Sequence, residues 1–139
     1  MSDKQLILDT VKNIEAYGKD RVNFIKGDVL ENLDESLPLF DFIVSNPPYI
    51  LTSEMPSLQE EVKKEPATAL DGGEDGLLFY RAILRDYAPM VKPGGLILLE
   101  IGYDQALQVE EILNRNGYEN IQSYKDPGDH WRVVEATVN

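Results

Sequence analysis

The tetrapeptide Asn46-Pro47-Pro48-Tyr49 combines residue types that can hold a planar amino group. The two prolines fix their φ angles and donate no backbone hydrogen bond, so the loop is stiff and presents carbonyl acceptors. Asn46 adds a side-chain carbonyl, and Tyr49 adds a flat apolar face with a polar end. Acceptors beside an aromatic ring can clamp an NH₂ group and orient its nitrogen lone pair toward an electrophile. Taken alone, the same four residue types also suit a rigid turn without chemistry.

The position of this tetrapeptide favours the chemical interpretation. It directly follows Phe40–Ser45, a mostly continuous apolar run that predicts a strand buried on both faces of a parallel sheet. Open α/β sheets bind their ligands at the carboxyl ends of such strands. A second acceptor, Asp28, follows an alternating run over 21–26 that predicts another strand, although a solvated loop aspartate explains Asp28 about as well.

The remaining patterns predict the elements that must position these residues. Ser2 and Gln5 stand at capping-box spacing before a helix that stops at Gly18, and the polar stretch over 52–75 predicts a long functional loop with a short helix near 58–63. The other predicted elements are a helix over 77–91, a strand over 96–101, a helix capped by Asp104 and closed by Gly117, and a hairpin of strands over 120–124 and 131–138. This order predicts a three-layer α/β sheet that finishes with an antiparallel hairpin.

Composition limits the function classes. A chain of 139 residues suits one domain, and 25 acidic against 13 basic residues give a net charge of −12, which disfavours binding to a nucleic-acid backbone. With no cysteine, the chain has neither disulfides nor a thiolate metal site. Its apolar runs are shorter than the about 20 residues of a membrane span, and no secretory signal is visible. We therefore expect a cytoplasmic protein that contacts proteins or small molecules and neither membranes nor nucleic acid.

Several motifs resemble one enzyme family. The segment over 40–50 is similar to the fourth-strand motif of S-adenosylmethionine-dependent amino-methyltransferases. The block from Glu65-Pro66 through Asp71-Gly72-Gly73 to Leu77, with the segments 80–81, 98–102, 125–126 and 132–134, resembles the HemK-type glutamine N5-methyltransferases. Those enzymes methylate the glutamine of the Gly-Gly-Gln loop in peptide chain release factors. The resemblance implies an S-adenosylmethionine cofactor, a release factor as protein substrate, and a substrate side of the cleft shaped by the 65–77 block.

The resemblance also implies roles for individual residues. Asn46 and the carbonyl of Pro47 would hold the substrate amide, with Tyr49 packed against it and Pro48 completing the substrate-binding loop. Asp28 would lie near the adenine amino group of the cofactor. The implied catalytic residues are Asn46, Pro47 and Tyr49, the implied substrate-binding residues are Asn46, Pro47, Pro48 and Tyr49, and the implied cofactor-binding residues are Asp28, Val29 and Asn46. No metal ligand is implied.

The glycine-rich loop and the acidic ribose-binding strand that open this family's fold are not visible in the sequence. We therefore expect residues 1–139 to form a single partial catalytic domain whose sheet, of family order 3-2-1-4-5-7-6, lacks its first two strands. Such a chain would come from a truncated gene, a split gene or an expression fragment. On its own it would bind the cofactor weakly or not at all, and it would self-associate through uncovered strands. The alternatives are a ribosomal-protein glutamine methyltransferase, a nucleic-acid amino-methyltransferase and a non-catalytic remnant.

Overall fold

The computed structural model describes residues 3–31 and 36–139. The helices are α1 (Asp3–Asn13, continued by a π-helical turn over Ile14–Gly18), α2 (Glu60–Lys63), α3 (Leu78–Ala82, continued by turns over Ile83–Tyr87 and Ala88–Met90) and α4 (Ala106–Arg115). The strands are β1 (Phe40–Ser45), β2 (Val91–Glu100), β3 (Glu119–Lys125) and β4 (Trp131–Thr137). Two further 3₁₀ turns lie at Thr52–Ser57 and Ala67–Ala69.

The strands form a single mixed sheet in the order β1-β2-β4-β3. β1 and β2 are parallel, with Val44 opposite Leu98, so they need the long crossover that contains α2 and α3. β4 is antiparallel to both β2 and β3, and it forms with β3 the terminal hairpin. The observed order matches the last four positions of the expected family order, which confirms the prediction of a partial Rossmann-like sheet ending in a hairpin.

One face of the sheet carries the core. Ile97, Leu99 and Ile101 alternate along and just beyond β2, and all three are buried together with Val134 of β4. Helices α3 and α4 cover this face, because their apolar residues belong to the same buried cluster. The fully buried Tyr80 of α3 donates its hydroxyl to the Glu100 carbonyl at 2.8 Å, so its polar end is satisfied inside the core.

The opposite face of the sheet is uncovered at β1 and β2. Phe42, Val44 and Leu96 share this face and are 61%, 68% and 37% exposed. The prediction that β1 is buried on both faces is therefore wrong, because no helix of the described residues packs over these side chains. The described part of the chain shows the sheet and one helical layer at these strands, rather than three layers.

The strand predicted over 21–26 is also wrong. Residues 22–28 have no regular secondary structure, and Val22, Phe24 and Ile25 are exposed. An alternating pattern gives a strand only where a neighbouring strand accepts its hydrogen bonds and a core covers its apolar side, and residues 21–26 have neither within the described chain.

Smaller differences concern the ends of elements. The N-cap of α4 is Gln105 rather than Asp104, and no side chain caps this helix. β2 begins at Val91, so Pro93-Gly94-Gly95 lie inside the strand rather than between a helix and a strand. An irregularity in the pairing of β1 with β2 falls between Phe40 and Phe42 and accommodates these residues. The capping role predicted for Ser2 falls outside the described residues.

Candidate active site

A cavity of about 1010 Å³ opens at the carboxyl end of β1. One wall is the loop over 26–31, and the opposite wall is the end of β1 with Asn46, Pro47 and Pro48. Residues of the 67–73 segment and the start of α3 complete the lining. The structure thus brings together five residues predicted from the sequence, namely Asp28, Val29, Asn46, Pro47 and Pro48.

The wall formed by the tetrapeptide presents unused acceptors. Asn46 is exposed, and its side-chain amide makes no hydrogen bond within the described residues. Pro47 is buried and Pro48 half-buried, which fixes the backbone that follows Asn46. A side chain whose carbonyl is free, mounted on a rigid strand end, is suited to receive an N–H donor from a ligand.

Tyr49 is placed differently from its predicted partners. It does not line the cavity; its ring lies against Gly102, where an added Cβ would come within 3.2 Å of the Tyr49 ring. Its carbonyl oxygen accepts a hydrogen bond of 3.0 Å from the Nε2 of Gln105. In this structure Tyr49 therefore anchors the end of the loop rather than forming a wall of the cavity.

The segment after the tetrapeptide is pinned to the 70–73 turn by backbone bonds. The Ile50 N–H donates to the Leu70 carbonyl at 3.0 Å, and the Gly72 N–H donates to the Ile50 carbonyl at 2.7 Å. Gly72 is required there, because a Cβ would lie 2.7 Å from the Tyr49 Cα. The glycine of this Asp-Gly-Gly motif therefore allows close approach of two backbone segments, which its role as a turn-forming residue alone would not indicate.

Asp71 holds the same turn with its side chain. Its carboxylate accepts a hydrogen bond of 2.6 Å from the Thr52 hydroxyl and one of 3.0 Å from the Gly73 N–H. These two donors, the Thr52 hydroxyl first, hold the pKa of Asp71 below its ordinary value of 3.8. Because Asp71, Thr52 and Gly73 all line the cavity, this bonding shapes its wall with an ionised carboxylate.

The loop over 26–31 supplies the facing wall. The Leu30 N–H donates to the Asp28 Oδ1 at 2.9 Å and the Glu31 N–H donates to the Asp28 carbonyl at 3.0 Å, which is a local turn. One carboxylate oxygen fixes the turn, so the second is left to accept from an amino group in the cavity. A carboxylate and a neighbouring half-buried valine are chemically suited to the amino edge and the face of an adenine ring.

Sequence reasoning missed Gln105. It is buried, with 7% of its surface exposed, and its side chain bonds to three separate segments of the chain. A glutamine at the start of an amphipathic helix ordinarily lies on the surface, and no pattern of neighbouring residues marks this one as different. The described residues contain no group of acidic or histidine side chains arranged to hold a metal ion, and no helix long and apolar enough to cross a membrane.

Comparison with known proteins identifies close homologues of the chain. A release factor glutamine methyltransferase from Clostridium acetobutylicum is 49% identical to the chain over 119 residues, which cover 85% of this chain and 42% of the relative. One from Clostridium botulinum is 44% identical over 129 residues, which cover 91% of this chain and 46% of the relative. The chain is therefore homologous to part of the release factor glutamine methyltransferases. It spans less than half the length of these relatives, and no protein-family model matches it.

Solved structures agree on the fold of this methyltransferase homologue. A methyltransferase from Pyrococcus furiosus superposes with a TM-score of 0.62 at 21% identity, covering 97% of this chain and 58% of that one. TrmN from Thermus thermophilus superposes with a TM-score of 0.58 at 19% identity, covering 99% of this chain and 34% of that one. At such identities the likeness concerns the fold alone. It supports the Rossmann-like fold that the resemblance implied.

Proposed function

We propose that this chain supplies the amide-binding part of an S-adenosylmethionine-dependent methyltransferase that acts on a glutamine side chain of a peptide chain release factor. The proposal rests on the combination of sequence similarity to a known enzyme and the position of Asn46 at the cavity. A chain 49% identical to a release factor glutamine methyltransferase places a free Asn46 amide on a rigid strand end, facing a cavity large enough for two reactants.

The residues of the tetrapeptide act by holding the acceptor nitrogen. A glutamine amide is a poor nucleophile because its nitrogen lone pair is delocalised into the carbonyl group. The side-chain carbonyl of Asn46 and the backbone carbonyl of Pro47 would accept its two N–H donors and fix the plane of the NH₂ group. That fixed plane turns the lone pair toward the methyl donor, which is catalysis by positioning and electrostatics.

The facing wall is suited to the methyl donor. S-adenosylmethionine, when bound, supplies the methyl group. Asp28 would accept from its adenine amino group, Val29 would contact the ring, and Asn46 would lie between the two reactants. Tyr49 would support the loop through its backbone, since its ring is turned toward Gly102 rather than into the cavity.

Further properties belong to the same proposal. The net charge of −12 favours a protein substrate over a nucleic acid, and a release factor substrate implies work in the cytoplasm. The uncovered face with Phe42 and Val44 supports self-association, because apolar side chains gain about 25 cal/mol per Å² when removed from water. Sedimentation at tens of micromolar tests this part, and a stable monomer would contradict it.

The test of the proposed function compares substrates. The longest natural form of the protein is incubated with labelled S-adenosylmethionine and with a release factor, a release factor whose Gly-Gly-Gln glutamine is replaced, or DNA. We expect label in the unmodified release factor alone. Label in DNA alone would instead support the nucleic-acid methyltransferase, and label in the altered release factor would move the site to another side chain. No label with any substrate would support a non-catalytic remnant.

A further inference from the structure

Gln105 stands out among the buried residues because it is polar and bonded on every side. Its Nε2 donates to the carbonyl of Tyr49 at 3.0 Å and to that of Gly76 at 3.2 Å. Its Oε1 accepts from the Gly102 N–H at 2.9 Å and from the Tyr80 hydroxyl at 3.4 Å. The amide therefore uses both of its donors and both of its acceptor positions.

These bonds join segments that are distant in sequence. Tyr49 ends the site loop after β1, Gly76 belongs to the turn before α3, and Gly102 follows β2. The single proton of this Tyr80 hydroxyl is shared with the Glu100 carbonyl at 2.8 Å, the shorter arm of a three-centre bond, which ties the network to the end of β2. Gln105 is thus the point at which the site loop is fixed to the buried core.

The backbone has been shaped around this side chain. A Cβ at Gly76 would lie 2.6 Å from the Tyr49 carbonyl oxygen and 2.8 Å from the Gln105 Nε2, and Gly76 has a φ of +71°. A Cβ at Gly102 would lie 2.9 Å from the Gln105 Oε1. Gly76 is therefore required by its φ and by the nearby Tyr49 backbone, whereas a side chain at Gly102 would displace the Gln105 amide.

A polar side chain at this buried position indicates that Gln105 orients neighbouring groups rather than only filling space in the core. An apolar residue of similar length would fill this space without the cost of removing an amide from water. Glutamine adds what an apolar residue lacks, a fixed direction for the Tyr49 carbonyl. Since β1 fixes the chain before Asn46 and Gln105 fixes it after Pro48, the acceptors between them have little freedom to move.

We infer that Gln105 is a positioning residue for the amide-binding loop, acting through the Tyr49 carbonyl on Asn46 and Pro47 without touching either reactant. The inference rests on the proposed function for its effect on turnover. It predicts that loss of the Gln105 bonds lowers kcat while leaving the affinity for S-adenosylmethionine unchanged, because none of the hydrogen bonds of Gln105 reaches the wall over 26–31.

The test uses graded substitutions in the longest natural form of the protein. Gln105→Met keeps the length but removes all four bonds. Gln105→Glu keeps the two acceptor bonds and sets a carboxylate oxygen against the carbonyls of Tyr49 and Gly76. Gln108→Glu, on the exposed side of the same helix, is the matched control for the added charge.

For both Gln105 variants we expect kcat to fall on the order of 10²-fold, the effect of about 1 Å of misplacement, with the KM for S-adenosylmethionine within about twofold. Gln108→Glu should behave as wild type. Amide hydrogen exchange at Ile50 and Gly72 should accelerate in the Gln105 variants, while exchange in β4 stays unchanged. Folded variants with wild-type kcat and wild-type exchange would overturn the inference.

The outcome stays separable from the proposed function. If the wild-type protein methylates no release factor, the proposed function fails, and the exchange rates at Ile50 and Gly72 still decide whether Gln105 holds the loop. If Gln105→Met does not fold, Gln105→Glu is judged by the same rates. A fall in kcat accompanied by an equal loss of cofactor affinity would show a general loss of structure, which contradicts a positioning role.

Discussion

The two walls of the cavity are built in different ways. The wall of Asn46, Pro47 and Pro48 stands between β1 and a network of hydrogen bonds that reaches the buried core through Gln105. The wall over 26–31 is a loop held by its own local turn around Asp28, and all of its residues except Val29 are exposed. The first, anchored wall is joined to the core by hydrogen bonds, whereas the second, exposed wall contacts the core through the half-buried Val29.

On the proposed function, this difference indicates which reactant has a preorganised binding wall in the described chain. A rigid acceptor wall costs no reorganisation when the substrate amide binds, which is the condition for strong transition-state stabilisation. On the proposed function, the exposed wall would be ordered further when the cofactor binds, and ordering loop residues costs free energy. The proposed function thus has a preorganised substrate side and a cofactor side whose order depends on the bound cofactor.

The largest expected difference between the two regions concerns stability. Leu99 of β2 is fully buried beneath the anchored wall, so Leu99→Ala should lower the free energy of unfolding by about 2–5 kcal/mol. Ile25, next to the exposed wall, is 59% exposed, and Ile25→Ala should change it by less than about 0.5 kcal/mol. Urea unfolding of both variants measures the contrast. A large loss in Ile25→Ala would show that a second copy or another segment covers this side chain.

The second-largest expected difference between the two walls concerns kcat. On the proposed function, Asn46→Ala removes an acceptor aimed at the reacting amide, so kcat at saturating cofactor should fall about 10²-fold. Asn23→Ala, an exposed asparagine in the segment leading to the other wall, is the control and should leave kcat unchanged. Initial-rate measurements with a release factor give both values. Wild-type turnover in Asn46→Ala would remove Asn46 from the mechanism.

The opposite pattern is expected for Asp28. Asp28→Asn keeps an oxygen for the Leu30 N–H but replaces the other acceptor by an NH₂ group, so the affinity for S-adenosylmethionine should weaken about 10-fold. The value of kcat at saturating cofactor should stay near wild type. Asp20→Asn, in the same exposed segment, controls for the lost charge. Calorimetric titration checks the affinity, and equal binding by Asp28→Asn and wild type would argue against a cofactor wall over 26–31.

The same contrast explains which features the sequence could predict. The terminal hairpin, the strand β2 with its one buried face, and the position of Asn46 after β1 follow from local patterns that tertiary packing reinforces. The alternating run over 21–26 has an equally clear pattern, yet Phe24 and Ile25 have no core to enter. An alternating sequence indicates that a segment can form a strand. The strand forms only where a neighbouring strand and a core are available to pair with it and cover it.

Gln105 was unpredictable for a different reason. Gln105 acts by donating hydrogen bonds to the backbone carbonyls of Tyr49 and Gly76. Every residue has a backbone carbonyl, so the sequence does not show which carbonyls are bound. The glycines that make room for it look like ordinary turn residues. Tyr49 shows the converse, since its side chain suggested a cavity wall while its backbone carbonyl makes the contact that the structure uses.

The smallest expected effect concerns acid, and it again separates the anchored wall from the exposed one. The pKa of Asp71 is lowered in the folded state, chiefly by the Thr52 hydroxyl, so ionised Asp71 stabilises the fold above the ordinary value of 3.8 and loses this contribution as the pH falls through the lower, folded-state pKa. Thr52→Val removes the first donor and should raise the pKa of Asp71 toward 3.8, which an NMR titration of its carboxyl group detects. Asp71→Asn should flatten the fall in stability between about pH 5 and pH 2, measured by urea unfolding. Because both variants remove the same contact, adding Thr52→Val to Asp71→Asn should flatten that fall no further. An unchanged Asp71 titration in Thr52→Val would show that this hydroxyl does not hold the turn, and the anchored wall would then depend on its backbone bonds and Gln105 alone.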